Sequence, residues 1–303
     1  MDASEKALET LREDLGSVYE EIRYAAAHKC HALGLEAFPY LLRLTYDASP
    51  MRRAMACNII RDLHEQGRIN LSDRPASHFF PPEPYTAAID RMVVLASSDP
   101  HRSVRQAAVL VLGRWQLEEA MPVICGTASD RSALVREGAA VALGYFTDDY
   151  WNSFPNDAQH ELVQTTLLVL ILDKDEDVRE EAISGIRSGG YWVPPVRDAL
   201  LRALDDVDTH VRGEAAWALA RKEGKQFKDR LKTQLVNDPN PSHYYFHAAV
   251  EFGDPDLLPE IRVCIEHWRQ TTPRGEQRFY SSYAERAVAI LEGRMIVDDY
   301  FAG

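Results

Sequence analysis

The feature that most restricts this chain is that its sequence repeats itself. Four segments align without gaps: DPHRSVRQAAVLVLG (99–113), DRSALVREGAAVALG (130–144), DKDEDVREEAISGIR (173–187) and DVDTHVRGEAAWALA (206–220). Each reads Asp, four residues, Val-Arg, two residues, Ala, three residues, then Leu or Ile. The anchor arginines are Arg105, Arg136, Arg179 and Arg212. Weaker copies carry Arg53 with Ala56 after Asp47, and Arg23 with Ala26. Asp238 opens a degenerate copy with Tyr244 in the arginine place. Successive anchors lie 30, 52, 31, 43, 33 and 32 residues apart. A period of about 30 residues is one helix pair, and the two longer steps are a pair plus an insertion. Such a period means stacked supersecondary units, and it overrides the two globular domains that 303 residues alone would suggest.

The motif reads as the second helix of each pair. Val, Ala and Leu recur four residues apart, which draws one apolar stripe down a helix. The Ala is small because helices must approach closely there. Asp99 and Asp238 are each followed by Pro, a cap-then-first-turn pairing. Gly113 and Gly144 are expected to end their helices in a left-handed conformation. The first helices are expected near 38–47, 85–99, 160–175, 195–206, 227–238 and 256–268, with terminal capping helices at 2–15 and 281–293. No run reads as a strand. The expectation is an all-α, right-handed α-solenoid of seven to eight helix pairs, one domain over 1–303, with insertions near 64–84 and 147–158.

This motif resembles HEAT repeats, and in particular the short HEAT-like repeats named after phycobilisome lyases. The resemblance spans nearly the whole chain and implies that motif Asp and Arg pair between adjacent repeats as a ladder. It also directs attention to the enzymes built on such repeats. Deoxyhypusine hydroxylases carry His-Glu pairs just after the repeat Arg, where they bind two irons. The corresponding positions here are Gln106-Ala107, Glu137-Gly138, Glu180-Glu181 and Gly213-Glu214, and none holds His. Bilin lyases share the repeat type, which leaves an enzyme or enzyme subunit of that kind as the alternative function.

Charge narrows the partner. With 34 Lys+Arg against 47 Asp+Glu, the formal net charge is −13. That balance disfavours nucleic acid, which needs basic residues to displace phosphate counterions, and disfavours anionic membranes. The longest apolar run, 167–172, is too short to span a bilayer, and the charged start has no signal-peptide core. Cys30, Cys57, Cys125 and Cys264 form no CxxC pair and read as buried thiols of a cytoplasmic protein. No cofactor or metal is expected. His243, His247 and Glu251 share one helical face, and His28 and His31 form a second pair, but surface or core histidines explain both more simply.

What remains is a binding scaffold for a protein partner with a basic surface. An immunity- or antitoxin-like inhibitor of a basic toxin is one concrete form. Residues one, five and nine after each anchor should line the concave face. This register selects Asp62, Arg114, Glu137, Tyr145, Glu180, Trp217 and Arg221, with Glu181 and Glu214 beside them. Loops near 147–158 and 188–195 add Tyr150, Trp151, Tyr191 and Trp192. Aromatic rings among carboxylates have the composition of a protein-binding hot spot.

Overall fold

The computed structural model describes residues 10–69, 82–147, 152, 156–238, 241–271 and 277–297. Among the described residues there is no strand, and fifteen α-helices are bounded. First and second helices alternate along the repeat. The first helices are α2 (Phe38–Leu44), α4 (Pro82–Ser98), α6 (Met121–Thr127), α8 (Asp157–Leu170), α10 (Pro194–Ala203), α12 (Lys228–Asn237) and α14 (Leu258–Thr271). The second helices are α1 (Glu20–Leu33), α3 (Pro50–Ile69), α5 (Arg102–Trp115), α7 (Ala133–Gly144), α9 (Glu176–Ser188), α11 (Thr209–Glu223), α13 (Tyr244–Phe252) and α15 (Gln277–Leu291). No described helix is long and apolar enough to cross a membrane.

The chain divides into two compact units, Met1–Thr166 and Leu167–Gly303. In the first, α1, α3, α5 and α7 stack in sequence, and α2, α4 and α6 each pack on the second helix of their own pair. In the second, α9, α11, α13 and α15 stack likewise, backed by α10, α12 and α14. The stripe foreseen from the sequence is the core: Val104, Ala108 and Leu112 of α5, and Val211, Ala215 and Leu219 of α11, are fully buried.

Within each unit the anchor arginines staple consecutive repeats. Arg53 grips Asp99 with two bonds of 2.8 and 2.9 Å, and Arg105 grips Asp130 with bonds of 2.7 and 2.8 Å. Arg179 does the same to Asp206 at 2.8 and 2.7 Å, and Arg212 engages Asp238. The remaining guanidinium nitrogen donates to the carbonyl of the repeat's own Asp: Asp47 for Arg53, Asp99 for Arg105, Asp173 for Arg179 and Asp206 for Arg212. Asp47, Asp99, Asp130, Asp173 and Asp206 also accept the N–H two residues on, as Asp130 does from Ser132 at 2.8 Å. One carboxylate thereby fixes a turn and a neighbouring helix together. Arg23 departs from this pattern. It holds the Ser17 and Val18 carbonyls, while Asp47 is engaged by Arg12 and Arg52.

Three local expectations are corrected. Gly113 does not end α5. The helix continues to Trp115, and Gln116 takes the left-handed conformation at φ 52°. Gly113 is instead a contact point, since a Cβ there would lie 2.5 Å from Ala142 Cβ on α7. Gly144 is the last residue of α7, followed by Tyr145 in right-handed conformation. Pro100 is not the first helical residue, because Asp99 turns the chain through His101 and α5 begins at Arg102. α3 extends to Ile69 and α4 starts at Pro82, so helix enters the stretch near 64–84 from both ends.

Candidate functional site: a polar-aromatic face and a cleft

In the second unit, α9, α11, α13 and α15 assemble a polar-aromatic stack. Trp217 of α11 lies between a cation and an imidazole. The Arg187 guanidinium sits 3.6 Å from its ring centroid, and the His247 ring stacks on it at 4.5 Å and 26°. His247 meets Tyr283 of α15 at 5.4 Å, and Tyr283 meets His243 at 5.0 Å. His243 lies 4.0 Å from Tyr244, whose hydroxyl donates to Glu180 Oε1 at 2.8 Å across the width of α11. Arg187 turns its Nε to Glu214 Oε1 at 2.8 Å. Gly213 lets α13 approach, because a Cβ there would stand 2.0 Å from Ser242 Oγ.

Burial sets the protonation states. It lowers His243 to about 4, helped by His210, and His247 to about 3, helped by His243, Arg187 and Arg286. Both imidazoles are therefore neutral near pH 7. Glu214 is fully buried, and that burial raises its pKa against the opposing pull of Arg187. Burial also raises the Tyr244 phenol, with Glu214 and Glu180 adding to it, so it remains a donor. Among the described residues no group of three His, Cys, Asp or Glu is placed to hold a metal. Glu251 is exposed, while His243 and His247 are absorbed into the ring stack.

In the first unit, α1, α3 and α5 enclose a cleft of about 520 Å³. Ala27, Met55, Ile59 and Leu110 give it apolar walls, and His28, His31, Asn58 and Asp62 line it with polar groups. Asp62 Oδ1 accepts from Arg61 Nε at 3.1 Å, and Oδ2 stands 3.6 Å from His31 Nε2. Farther along the same row of second helices, the Arg114 guanidinium lies 5.2 Å from the centre of the Tyr145 ring.

The residues selected from the sequence divide accordingly. Glu180, Glu181 and Trp217 are half-buried in the second unit's face, with Arg221 exposed at the end of α11. Glu137, Arg114, Tyr145 and Asp62 are half-buried in the first unit. Glu214 is corrected: it is not a surface carboxylate, because Arg187 draws it inward against Ser184 and Trp217. Tyr191 is corrected too. It is fully buried and closes over Gly189, where a Cβ would fall 2.0 Å from Tyr191 Cε2, while Trp192 is half-buried. Tyr150 and Trp151 lie outside the described residues. The register of the degenerate repeat also changes. α13 starts six residues after Asp238, whereas the other motif helices start three after theirs, and Tyr244 turns its hydroxyl to Glu180. Arg187, Tyr283 and His210 were missed. Arg187 did carry a signal: it ends its motif where the copies at 99 and 130 end in Gly.

The HEAT repeats family matches residues 89–152 and 163–243, which include the ladder partners described above except Arg53. These stretches carry HEAT repeats. Its repeats are 29% identical to protein YibA of Escherichia coli K12 over 143 residues, which is 46% of this chain and 45% of YibA. YibA of Escherichia coli O157:H7 matches equally, so the alignment spans less than half the length of these curated relatives. The crystal structure of Escherichia coli YibA aligns over 96% of this chain and 93% of its own, with TM-score 0.60 and 19% identity. The Kap95 chain of a Kap95:Nup1 complex aligns over 95% of this chain and 42% of its own, with TM-score 0.60 and 15% identity. These likenesses establish the all-α repeat solenoid as the fold class of this chain.

Proposed function

We propose that this HEAT-repeat chain is a non-enzymatic scaffold that binds a protein with a basic surface through the face of its second helices. The observation that carries the reading is the stack around Trp217. An indole held between Arg187 and His247 is a rigid aromatic anchor, and its stacked neighbour Tyr244 donates to Glu180. A pre-ordered ring loses little side-chain entropy on contact, which is how aromatic hot spots concentrate binding energy. The formal charge of −13 supplies a field that draws a basic partner. The comparison with Kap95, solved in complex with Nup1, supports the fold as one that can hold a protein.

The test begins with capture of partners from the native cell by the tagged chain and their identification by mass spectrometry. Glu180→Lys with Glu181→Lys should then slow association with the purified partner, more strongly at low salt, because charges on a binding face steer encounter. Trp217→Ala should instead speed dissociation, at a cost of about 2 kcal/mol or more if it is a hot spot. Glu214 is left out of the charge reversals because it is sealed from solvent. A purified partner whose binding is unaffected by both sets would remove this face from the reading.

A further inference from the structure

The first repeat leaves open the face by which later repeats are stacked. In α7 the residues two and six after the anchor arginine meet the preceding second helix. A Cβ on Gly138 would lie 2.9 Å from the Gln106 side chain of α5, and Ala142 stands against Gly113 of the same helix. In α11 the residue two after the anchor is Glu214, bonded to Arg187 of α9, and the residue six after it is the buried Ala218. The matching residues of α1 are Ala25 and Lys29, two and six after Arg23, and both are exposed. Ile22 departs in the same sense. Val104, Val135, Val178 and Val211 fill its place in the four strong copies and are fully buried, whereas Ile22 is 41% exposed. Val18, Glu21 and Ala32 extend the exposed strip. Among the described residues, neither Glu21 nor Lys29 has an ion-pair partner.

We propose that this face binds a second copy of the chain, with the two α1 helices antiparallel and crossing at Ala25. The order of the charges argues for that occupant. Glu21 lies four residues before Ala25 and Lys29 four residues after it, each about one helical turn away. In an antiparallel pair Glu21 therefore meets Lys29 of the second copy, and Lys29 meets the second copy's Glu21. That is the reciprocity a two-fold interface demands. By the same spacing Ile22 falls opposite His28, and Val18 opposite Ala32. Ala25 is small enough for the helix axes to approach to about 8 Å, and antiparallel helix dipoles attract. Lys29 opposes a basic partner here and Glu21 an acidic one, whereas both signs in this order match the same strip turned end for end. The inference goes beyond the basic-partner reading of the second unit and is measured on the chain alone.

The test is sedimentation equilibrium of the full chain between about 1 μM and about 1 mM, a range that reaches the weak association of a small interface. A reversible monomer–dimer equilibrium is expected. Glu21→Lys and Lys29→Glu should each weaken it by at least about tenfold, because each turns two symmetric attractions into repulsions. An equimolar mixture of these two variants should dimerise again, since every reversed charge then meets its opposite across the two-fold. Ala25→Arg should abolish the dimer by holding the helices apart. All three positions are exposed, so the variants should keep the helical circular dichroism spectrum. If Glu21→Lys frays the first turn of α1, Lys29→Glu and Ala25→Arg still decide the question. Three results overturn the proposal: a chain that stays monomeric throughout the range, a dimer indifferent to Lys29→Glu and Ala25→Arg, or a mixture of the two charge variants that associates no better than either alone. None of them bears on Trp217, and a captured partner indifferent to Glu180, Glu181 and Trp217 leaves the dimer result standing.

Discussion

Asp130 is the most informative single site in the ladder. Asp130→Ala removes two bonds from Arg105, of 2.7 and 2.8 Å, and one from the Ser132 N–H at 2.8 Å. The Arg105 side chain is only 7% exposed, so its guanidinium is left in the interior with just the Asp99 and Pro100 carbonyls. Stranding one partner of a buried pair costs about 3–5 kcal/mol, and the lost turn contact adds to it. Against a total stability of about 5–15 kcal/mol for a domain, that is a large fraction. The assay is urea unfolding followed by circular dichroism, with hydrogen exchange on peptides from 10–166 to localise the loss to the first unit. Arg105→Met/Asp130→Ala should be more stable than Asp130→Ala alone, because the stranded cation is gone. The pH dependence follows from Asp130 itself. Burial acts to raise its carboxyl, but the Arg105 and Ser132 bonds outweigh burial and leave it lowered. Its contribution is therefore present above the ordinary carboxylate range and lost as pH falls through the depressed value. A loss below about 1 kcal/mol for Asp130→Ala, typical of a solvated surface pair, would refute the claim that the ladder holds the repeats.

Two further outcomes are expected. His243 and His247 have folded pKa values lowered to about 4 and about 3 by burial, so the unfolded chain binds more protons below the ordinary value of about 6.5. The second unit should lose stability as pH falls from 6.5 towards 4, and His243→Asn with His247→Gln should flatten that slope in melting experiments. A slope unchanged by the pair would assign it to other groups. Gly113→Ala should destabilise by about 1–3 kcal/mol through overpacking on Ala142, although helix propensity alone favours Ala by about 1 kcal/mol. A stabilised variant in urea unfolding would show that the helices can separate freely there.

The repeat was legible because one residue type at one spacing does one job. An Arg six residues after an Asp reaches back to that Asp's carbonyl and forward to the next repeat's carboxylate, and both partners recur at fixed offsets. The role of Gly113 was not legible, because a helix-ending glycine and a glycine under a crossing helix look alike in a single sequence. Tyr191 was misread for a related reason. A ring in a loop sequence gives no sign of whether it faces outward, and here the neighbouring Gly189 supplies the room for it to fold in. The start of α13 escaped because it lies six residues after Asp238 rather than three, and Tyr244 reaches Glu180 instead of taking the place of an anchor arginine. The cleft was partly legible, since Asp62, Asn58 and His28 fall on one face by spacing. Its depth depends on how α1 lies against α3 and α5, which spacing does not encode.

Arg187 ties the repeat logic to the candidate site, and its removal has a calculable signature. It stands where other motifs end in Gly, and it takes up a ring stack and a carboxylate: Trp217 at 3.6 Å and Glu214 at 2.8 Å. Arg187→Met preserves much of the packing and removes the charge. Glu214 then remains fully buried with Oε1 deprived of its partner and Oε2 already without a hydrogen bond. Its pKa, already raised by burial, loses the main influence that lowers it and rises further. A carboxyl whose folded pKa exceeds its unfolded value contributes fully at low pH and destabilises as pH rises towards the folded value. The cost of Arg187→Met should therefore grow between pH 5 and pH 8, by up to about 1.4 kcal/mol for each unit that the variant's Glu214 pKa lies above its unfolded value. Adding Glu214→Gln removes the titrating group and should make the remaining cost independent of pH. Unfolding at pH 5 and pH 8 reads this directly. An equal cost at both pH values for the single variant would mean that Glu214 reaches water when Arg187 is gone, and that Arg187 is not what keeps the carboxylate inside the fold.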